Sequence, residues 1–153
     1  MLDKKKELDK HIIESKNLLG DFTDRKVIAF KVEWGEFLNE HRFFKFWSND
    51  QEPRYTKLLE EFVDCIHFMC SLAIERHWDM YIYFGEAILA RRKTFEELAI
   101  DIFHNPLNSV GKWQDAMSDM LQFVYKVGYT TEAIEKAYDK KNRINHKRQE
   151  DGY

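Results

Sequence analysis

Two pairs of carboxylates have the residue types and the spacing to bind a metal ion: Glu33 with Glu36, and Glu61 with Asp64. The members of each pair are three positions apart, so on a helix they lie on one face, about a turn from each other. Like charges in that arrangement cost about 0.2–0.5 kcal/mol, and a carboxylate among apolar residues is costly to bury unpaired. A hard divalent cation relieves both costs, because it prefers carboxylate oxygens. The pattern therefore predicts a metal site built from two helices.

An ordinary surface position is the alternative for each pair. A single Glu-x-x-Glu is typical of the solvated face of an amphipathic helix. Two pairs favour a site, and the second pair is interleaved with Phe62, Val63 and Ile66. The pattern alone leaves the two interpretations evenly balanced.

Helices must position these carboxylates. Only six glycines and two prolines interrupt the chain, and no run of residues alternates as a strand does. Predicted helices cover about residues 2–18, 24–41, 53–73, 80–92, 94–104, 109–127 and 131–149. We expect Gly20 to end the first and Asp24 to cap the second. Pro53 suits the first turn of the third, and Thr94 with Glu97 forms a capping box. The pattern predicts an all-α fold, a bundle of six to seven helices in one domain.

Composition and charge narrow the class of protein. The chain is 44% hydrophobic and 33% charged, as in a globular protein rather than a disordered one. Its formal net charge of −3 argues against broad nucleic-acid binding, although basic residues gather at 4–6 and 136–148. No signal peptide and no apolar run of membrane-spanning length are visible, and Cys65 and Cys70 point in different directions on one helix. We expect a cytoplasmic protein with free thiols, no nucleic-acid partner and no membrane association.

Further motifs accompany the carboxylates along the chain. Between the two pairs lies an aromatic and basic run, Phe44-Lys45-Phe46-Trp47-Ser48, and after the second pair comes His67-Phe68. Near the end of the chain stand Tyr138, Lys141-Asn142, Asn145, Arg148-Gln149 and Gly152-Tyr153. Each motif is weak singly, but together they resemble the signature of the all-α nucleoside triphosphate pyrophosphohydrolases, the MazG-like superfamily. Within it the chain looks most like the dimeric dUTPases, and the resemblance covers most of residues 1–153.

The resemblance implies a hydrolase that cuts a nucleoside triphosphate, in the first place dUTP, to the monophosphate and pyrophosphate. It implies Mg²⁺ as the cofactor, with Mn²⁺ as a substitute, because such a site must neutralise phosphate oxygens and activate a water. By the same resemblance Glu33, Glu36, Glu61 and Asp64 hold the metal, and Glu36 doubles as the base that orients the water. A homodimer is expected mainly by resemblance, with a hint from the aromatic content of residues 78–88.

The resemblance also assigns residues to the substrate. They are Lys45, Trp47, His67, Tyr138, Lys141, Asn142, Asn145 and Arg148. In the last helix Lys141, Asn145 and Arg148 share a face, in a segment with little apolar surface to pack. Arg148 can grip a phosphate bidentately, while Lys141 offers a compact charge. A basic helix end also complements the helix dipole without any ligand, which is the structural alternative.

The aromatic run and His67 admit a purely structural role. The aromatic residues of 43–47 are too apolar for a solvated loop, so we expect most of them to pack over the bundle. Trp47 is the candidate for stacking on a pyrimidine ring, with Lys45 near the phosphates. His67 lies one turn beyond Asp64, where it contacts the sugar, orients a ligand carboxylate or simply fills the core.

One departure from the family leaves the preferred base open. Dimeric dUTPases present a Gln from the first helix to the base edge, whereas residues 4–9 here contain no Gln. Discrimination between bases needs a matched set of donors and acceptors, because an unpaired buried polar group is what rejects the wrong base. A house-cleaning pyrophosphatase for dCTP or non-standard nucleotides is therefore the alternative that shares the metal chemistry.

Two interpretations from other classes remain. Asp64-x-x-His67 and Asp101-x-x-His104 are similar to the Glu-x-x-His motifs of di-iron carboxylate bundles, but Asp replaces Glu in both. A non-enzymatic helical interaction module would use its carboxylates only as a charged face. Bound iron after purification would favour the first, and unchanged metal affinity after loss of Glu61 would favour the second.

Overall fold

The computed structural model describes residues 1–79 and 93–151. These residues form six α-helices and no strand, which confirms the all-α prediction. The helices are α1 (Leu2–Ser15), α2 (Thr23–His41), α3 (Tyr55–Glu75), α4 (Phe95–His104), α5 (Val110–Val127) and α6 (Thr131–Glu150). The helix predicted over 80–92 lies outside the described residues. Within the described part, no helix combines the length and the apolar character that crossing a bilayer requires.

Side chains cap the starts of the last three helices. Thr94 accepts a hydrogen bond from the backbone N–H of Glu97, and the Glu97 carboxylate accepts one from that of Thr94, which confirms the predicted capping box. Ser109 and Thr130 each accept from the N–H three residues further on. Each such bond satisfies a donor that helix geometry leaves open, typically for about 1 kcal/mol.

The other three predicted helix ends are wrong by a few residues. α1 ends well before Gly20, because the chain turns at Asn17 with a φ of 49°. α2 begins one residue before Asp24, and it is Asp21 whose carboxylate accepts from the N–H of residue 23 at 2.7 Å. Pro53 precedes α3 rather than lying in its first turn. At the first two ends a neighbouring residue provides the turn or the hydrogen bond that the prediction gave to another.

Helices α2 and α3 form the central antiparallel pair. At one end Lys26 of α2 pairs with Glu75 of α3 at 2.6 Å. At the other end the N–H of Arg54 donates to the carbonyl of Glu40 at 3.0 Å. Arg42 closes the connecting loop, because it turns the chain with a φ of 70° and its guanidinium donates to a carbonyl of that loop. The middle of α2 therefore faces the middle of α3, where the carboxylate pairs lie.

Buried aromatic rings hold these two helices together. Trp34 and Phe37 have no exposed surface, and their rings stack with centroids 4.8 Å apart. Phe37 also meets Phe62 of α3 at 5.7 Å, and Phe123 of α5 packs edge-on against both rings of α2. Burial of each such ring contributes roughly 1.5–3 kcal/mol, with some additional gain from ring pairing. The seam between α2 and α3 is thus rigidly packed.

Every predicted metal ligand directly precedes a residue with no exposed surface. The pairs are Glu33–Trp34, Glu36–Phe37, Glu61–Phe62 and Asp64–Cys65. Adjacent residues on a helix are about 100° apart, so each carboxylate lies at the border of the buried stripe rather than inside it. The packing of the rings therefore sets how closely the carboxylates of the two helices approach.

Helices α1 and α6 pack against another side of α3. Asp9 of α1 accepts a hydrogen bond from the hydroxyl of Ser71 at 2.6 Å and pairs with Lys5 at 2.7 Å. Tyr138 of α6 stacks on His67 of α3, with ring centroids 4.2 Å apart. All five side chains are buried, so the Lys5–Asp9 pair and its hydroxyl donor compensate one another away from water.

Candidate functional site

Three carboxylates meet where the middle of α2 faces the middle of α3. One oxygen each of Glu33, Glu61 and Asp64 lies within 4.8 Å of the other two, and all three residues are half-buried. We call this group the acidic cluster. Glu36, the fourth predicted ligand, is exposed and lies outside the group. Its charge still raises the pKa of Glu33 and of Glu61, so it lies close to the cluster.

The acidic cluster holds protons more tightly than free carboxylates do. Partial burial raises the pKa of Glu33 to about 7, and the charges of Asp64, Glu36 and Glu61 add to the rise. Burial also raises the pKa of Glu61 and that of Asp64. A bound cation would reverse this trend, because it stabilises the deprotonated carboxylates.

One ammonium group partly neutralises the negative charge of the acidic cluster. Lys141 of α6 donates to Asp64 at 2.5 Å, and this bond opposes the rise in the pKa of Asp64. The charge of Arg148, on the same helix, acts on the Asp64 carboxyl in the same direction. Three carboxylates with one bonded ammonium leave the cluster with excess negative charge at a pH above the pKa values of its members.

The donor set fits a hard divalent cation. Carboxylate oxygens are the ligands that Mg²⁺ and Mn²⁺ prefer, and half-buried side chains leave coordination positions open to water or phosphate. Within the described residues, no other group of His, Cys, Asp and Glu atoms approaches so closely. The di-iron alternative would need Asp101 and His104 at the site, but Asp101 pairs with Lys93 at 2.7 Å and neither residue joins the cluster.

A groove of about 640 Å³ runs between α3 and α6 and borders the acidic cluster at Lys141. Its basic lining residues are Lys136, Lys140, Lys141, Arg143 and Arg148. Its apolar lining residues include Leu59, Val63, Ala133, Ala137 and Ile144. We call it the α3–α6 groove. The sequence predicted Lys141 and Arg148 at the site but not the other three basic residues, although the basic character of 136–148 was the signal that could have indicated them.

Three predicted substrate residues are buried instead of open to a ligand. His67 stacks on Tyr138, neither nitrogen of its ring has a hydrogen-bond partner among the described residues, and burial lowers its pKa to about 3. The Tyr138 hydroxyl donates to the carbonyl of Met1 at 3.2 Å. The Asn142 amide donates to the carbonyl of Lys4 at 3.5 Å. In the structure these side chains fasten α1 to α3 and α6, so substrate contact by them stays a prediction without support from their exposure.

The aromatic run between α2 and α3 is largely exposed. Phe46 is 84% exposed and Trp47 is 65% exposed, whereas Phe43 packs against the core. The prediction that most of these rings pack over the bundle is therefore wrong. Lys45 lies over the ring of Phe44, 5.7 Å from its centroid. The exposure of Trp47 leaves its ring available for stacking on a ligand.

The acidic cluster should make stability depend on pH through Glu33. Its pKa is about 7 in the folded chain and 4.5 without the fold, so between these values only the folded state keeps the proton. The stability from this group is fully present below pH 4.5 and is lost as the pH rises through 7. His41 and His67 act in the opposite sense, because burial lowers their pKa from 6.5 to about 4 and about 3.

A comparison of the wild type with Glu33→Gln isolates the pH dependence that Glu33 causes, since both proteins keep His41 and His67. In EDTA, the free energy of unfolding of the wild type should fall relative to that of the variant from about pH 5 to about pH 8. Urea unfolding measures both. Added Mg²⁺ should raise the free energy of unfolding of the wild type near pH 8, and it should raise that of the variant less. A difference between the two proteins that stays constant across this range would contradict the prediction.

Comparison with known proteins agrees with the all-α fold. No curated protein matches the chain. A family model described as dUTPase matches residues 1–153, which is the whole chain. An enzyme of that description acts on a nucleotide substrate. The chain belongs to the dUTPase family, and it is accordingly a hydrolase that acts on an anhydride bond of a nucleoside triphosphate.

Proposed function

We propose that the protein is a Mg²⁺-dependent pyrophosphohydrolase that converts dUTP to dUMP and pyrophosphate, with residues 1–153 acting as one domain. The acidic cluster carries the proposal, because its three carboxylates lie within 4.8 Å beside a groove lined by basic side chains. A triphosphate needs both kinds of group, since its oxygens bind a hard cation on one side and ammonium or guanidinium groups on the other. Membership of the dUTPase family supports dUTP as the substrate.

The four carboxylates have distinct places in this proposal. Glu33, Glu61 and Asp64 would hold the ion, and Glu36 would join them from the exposed side. When bound, Mg²⁺ supplies charge that stabilises phosphate oxygens and lowers the pKa of a coordinated water. Glu36 is exposed next to the cluster, so its carboxylate can accept a hydrogen bond from the attacking water and orient it as a general base.

The substrate would extend from the acidic cluster over α6 and the exposed loop. Lys141 and Arg148 line the α3–α6 groove and would bind phosphate oxygens. Asn145 is half-buried on the same face of α6 and would donate to the phosphates or the sugar. Trp47, with its exposed ring, would stack on the base, and Lys45 would approach the phosphates.

The buried face of α1 favours a second candidate for the base. Lys5 and Asp9 point inward, pair with each other, and occupy the stretch where the family resemblance implies a Gln. Burial lowers the pKa of His67, and the charges of Lys5 and Lys141 lower it further. The Lys5–Asp9 pair therefore lies near the same histidine as Lys141, the lysine that bonds to the acidic cluster. With Lys5 and Asp9 buried and paired with each other, α1 lacks the amide that the resemblance assigns to the base edge. A dCTP or non-standard-nucleotide pyrophosphatase is therefore the second candidate, with the same metal chemistry.

Pyrophosphate release in the presence of Mg²⁺, measured for dUTP, dCTP, dTTP, UTP and dITP, tests the proposal. We expect kcat/KM for dUTP to exceed that for every other nucleotide by at least about tenfold, because a polar base pocket rejects mismatched bases strongly. A preference for dCTP or dITP would instead support the second candidate. Release from none of the five by the folded protein would contradict both.

We also propose that two copies of the chain associate. Ile28 and Val32 of α2 and Ile100 and Phe103 of α4 are exposed apolar side chains, and a groove of about 430 Å³ lies between the two helices. Covering such a patch gains roughly 25 cal/mol per Å² of apolar surface. The aromatic segment that first indicated a dimer lies mostly outside the described residues. Light scattering that gave the mass of a single chain would contradict a homodimer.

A further inference from the structure

Lys141 borders two places with opposite charge. Its ammonium donates to Asp64 at 2.5 Å, and the two side chains are only 21% and 15% exposed. The same residue lines the α3–α6 groove, together with Arg148. The acidic cluster and the proposed phosphate site are therefore both within reach of one flexible side chain.

The ammonium of Lys141 supplies positive charge at Asp64, where a bound metal ion would otherwise supply it. A half-buried carboxylate without a partner is costly, and the ammonium removes part of that cost for Asp64. A divalent cation in the acidic cluster would make the Lys141–Asp64 bond unfavourable. The ion and the ammonium group would lie a few Å apart, and like charges repel strongly in a partly buried site. Lysine suits such an exchange, since it carries a point charge on a flexible four-carbon stem.

We propose that Lys141 is an exchangeable counterion: it neutralises Asp64 in the metal-free protein, leaves when the metal binds, and then contacts a phosphate in the α3–α6 groove. The inference rests on the proposed metal site and adds an order of events to it. Metal binding releases the ammonium that the triphosphate needs, so each ligand strengthens the binding of the other. Lys141 is a positioning residue for Asp64 in the first state and a substrate-binding residue in the second.

The metal-free state is tested by measuring Mn²⁺ binding to the nucleotide-free protein with electron paramagnetic resonance. Lys141→Met removes the charge and keeps a stem of similar length. We expect the variant to bind Mn²⁺ about tenfold more tightly than the wild type, because the ion no longer competes with the ammonium. With Mn²⁺ present, α,β-imido-dUTP should bind the variant at least about tenfold more weakly, because a charged phosphate contact is lost. A merely structural role would weaken both affinities.

Two further variants control for charge and for position. Lys140→Met is the matched control, since Lys140 is exposed and its ammonium lies 4.0 Å from Glu60, outside the acidic cluster. Its Mn²⁺ affinity should equal that of the wild type. Lys141→Arg keeps the positive charge and should keep the weaker Mn²⁺ binding of the wild type.

Glu61→Gln in the same assay separates the counterion from the metal site itself. If the wild type binds Mn²⁺, Glu61→Gln abolishes the binding and Lys141→Met strengthens it, the counterion role is supported. If Glu61→Gln abolishes binding but Lys141→Met binds Mn²⁺ no more tightly than the wild type, the counterion role is overturned and the metal site stands. If the folded wild type binds no Mn²⁺, the metal site and the counterion role both fail.

Discussion

Glu61→Ala is expected to reduce kcat/KM for pyrophosphate release from dUTP by at least about 10²-fold. Loss of a group that only orients a metal ligand typically costs about 10- to 100-fold, so loss of a ligand itself should cost more. Glu61 is one of the three carboxylates whose oxygens lie within 4.8 Å of one another. The assay follows pyrophosphate at saturating Mg²⁺, and Mn²⁺ affinity measured on the same variant should fall with it.

The stability of Glu61→Ala should move in the opposite direction. Burial and the charges of Asp64 and Glu36 raise the pKa of Glu61, so its removal from the metal-free protein relieves repulsion. We therefore expect a free energy of unfolding in EDTA no lower than that of the wild type. An inactive variant that is also unfolded would show that Glu61 acts in the fold and would contradict this prediction.

Glu60→Ala is the matched control for Glu61→Ala. Glu60 is the neighbouring residue on α3 and has the same side chain, but it is 52% exposed, pairs with Lys140 at 4.0 Å and lies outside the acidic cluster. We expect its activity to stay within about twofold of the wild type, as for other surface substitutions. Equal losses in the two variants would mean that total negative charge, rather than the acidic cluster, determines activity.

The part of the site that could be predicted from sequence depends on helical periodicity. A spacing of three places Glu61 and Asp64 on one face of α3, and the apolar stripe beside them determines which face turns inward. Glu33 follows the same rule on α2. Glu36 has the same kind of spacing on α2, but one turn further along the helix its side chain is exposed and lies beside the acidic cluster. Spacing identifies a face, but the crossing of two helices decides which turn of that face lies nearest the other helix.

Contacts between distant residues account for what could not be predicted. Lys141 bonds to Asp64 across 77 positions of sequence, and the basic lining of the α3–α6 groove exists only because α6 lies against α3. His67 is buried because Tyr138 covers it, which no local pattern indicates. Phe46 is 84% exposed although it is apolar, while the guanidinium of Arg42 closes the same loop from within.

Phe37→Ala is expected to lower the free energy of unfolding by about 3–5 kcal/mol, a large fraction of the stability of an ordinary domain. The ring has no exposed surface, and it contacts Trp34 on its own helix, Phe62 of α3 and Phe123 of α5. Alanine would leave a cavity at the seam that sets the distance between the carboxylates of α2 and α3. Urea unfolding measures the loss, and an unchanged slope with denaturant would show that the surface exposed on unfolding is the same in both proteins.

Two other substitutions show whether the loss of stability depends on the packing of the ring or only on its apolar character. Phe37→Leu keeps most of the volume and should cost less than about 1.5–2 kcal/mol, while Mn²⁺ affinity stays near that of the wild type. Phe46→Ala removes an equally apolar ring that is 84% exposed, so it should change stability by less than about 0.5 kcal/mol. If Phe46→Ala cost as much as Phe37→Ala, the aromatic loop would have to be packed in solution. In that case the ring of Trp47 beside it would not be free to stack on a nucleotide base.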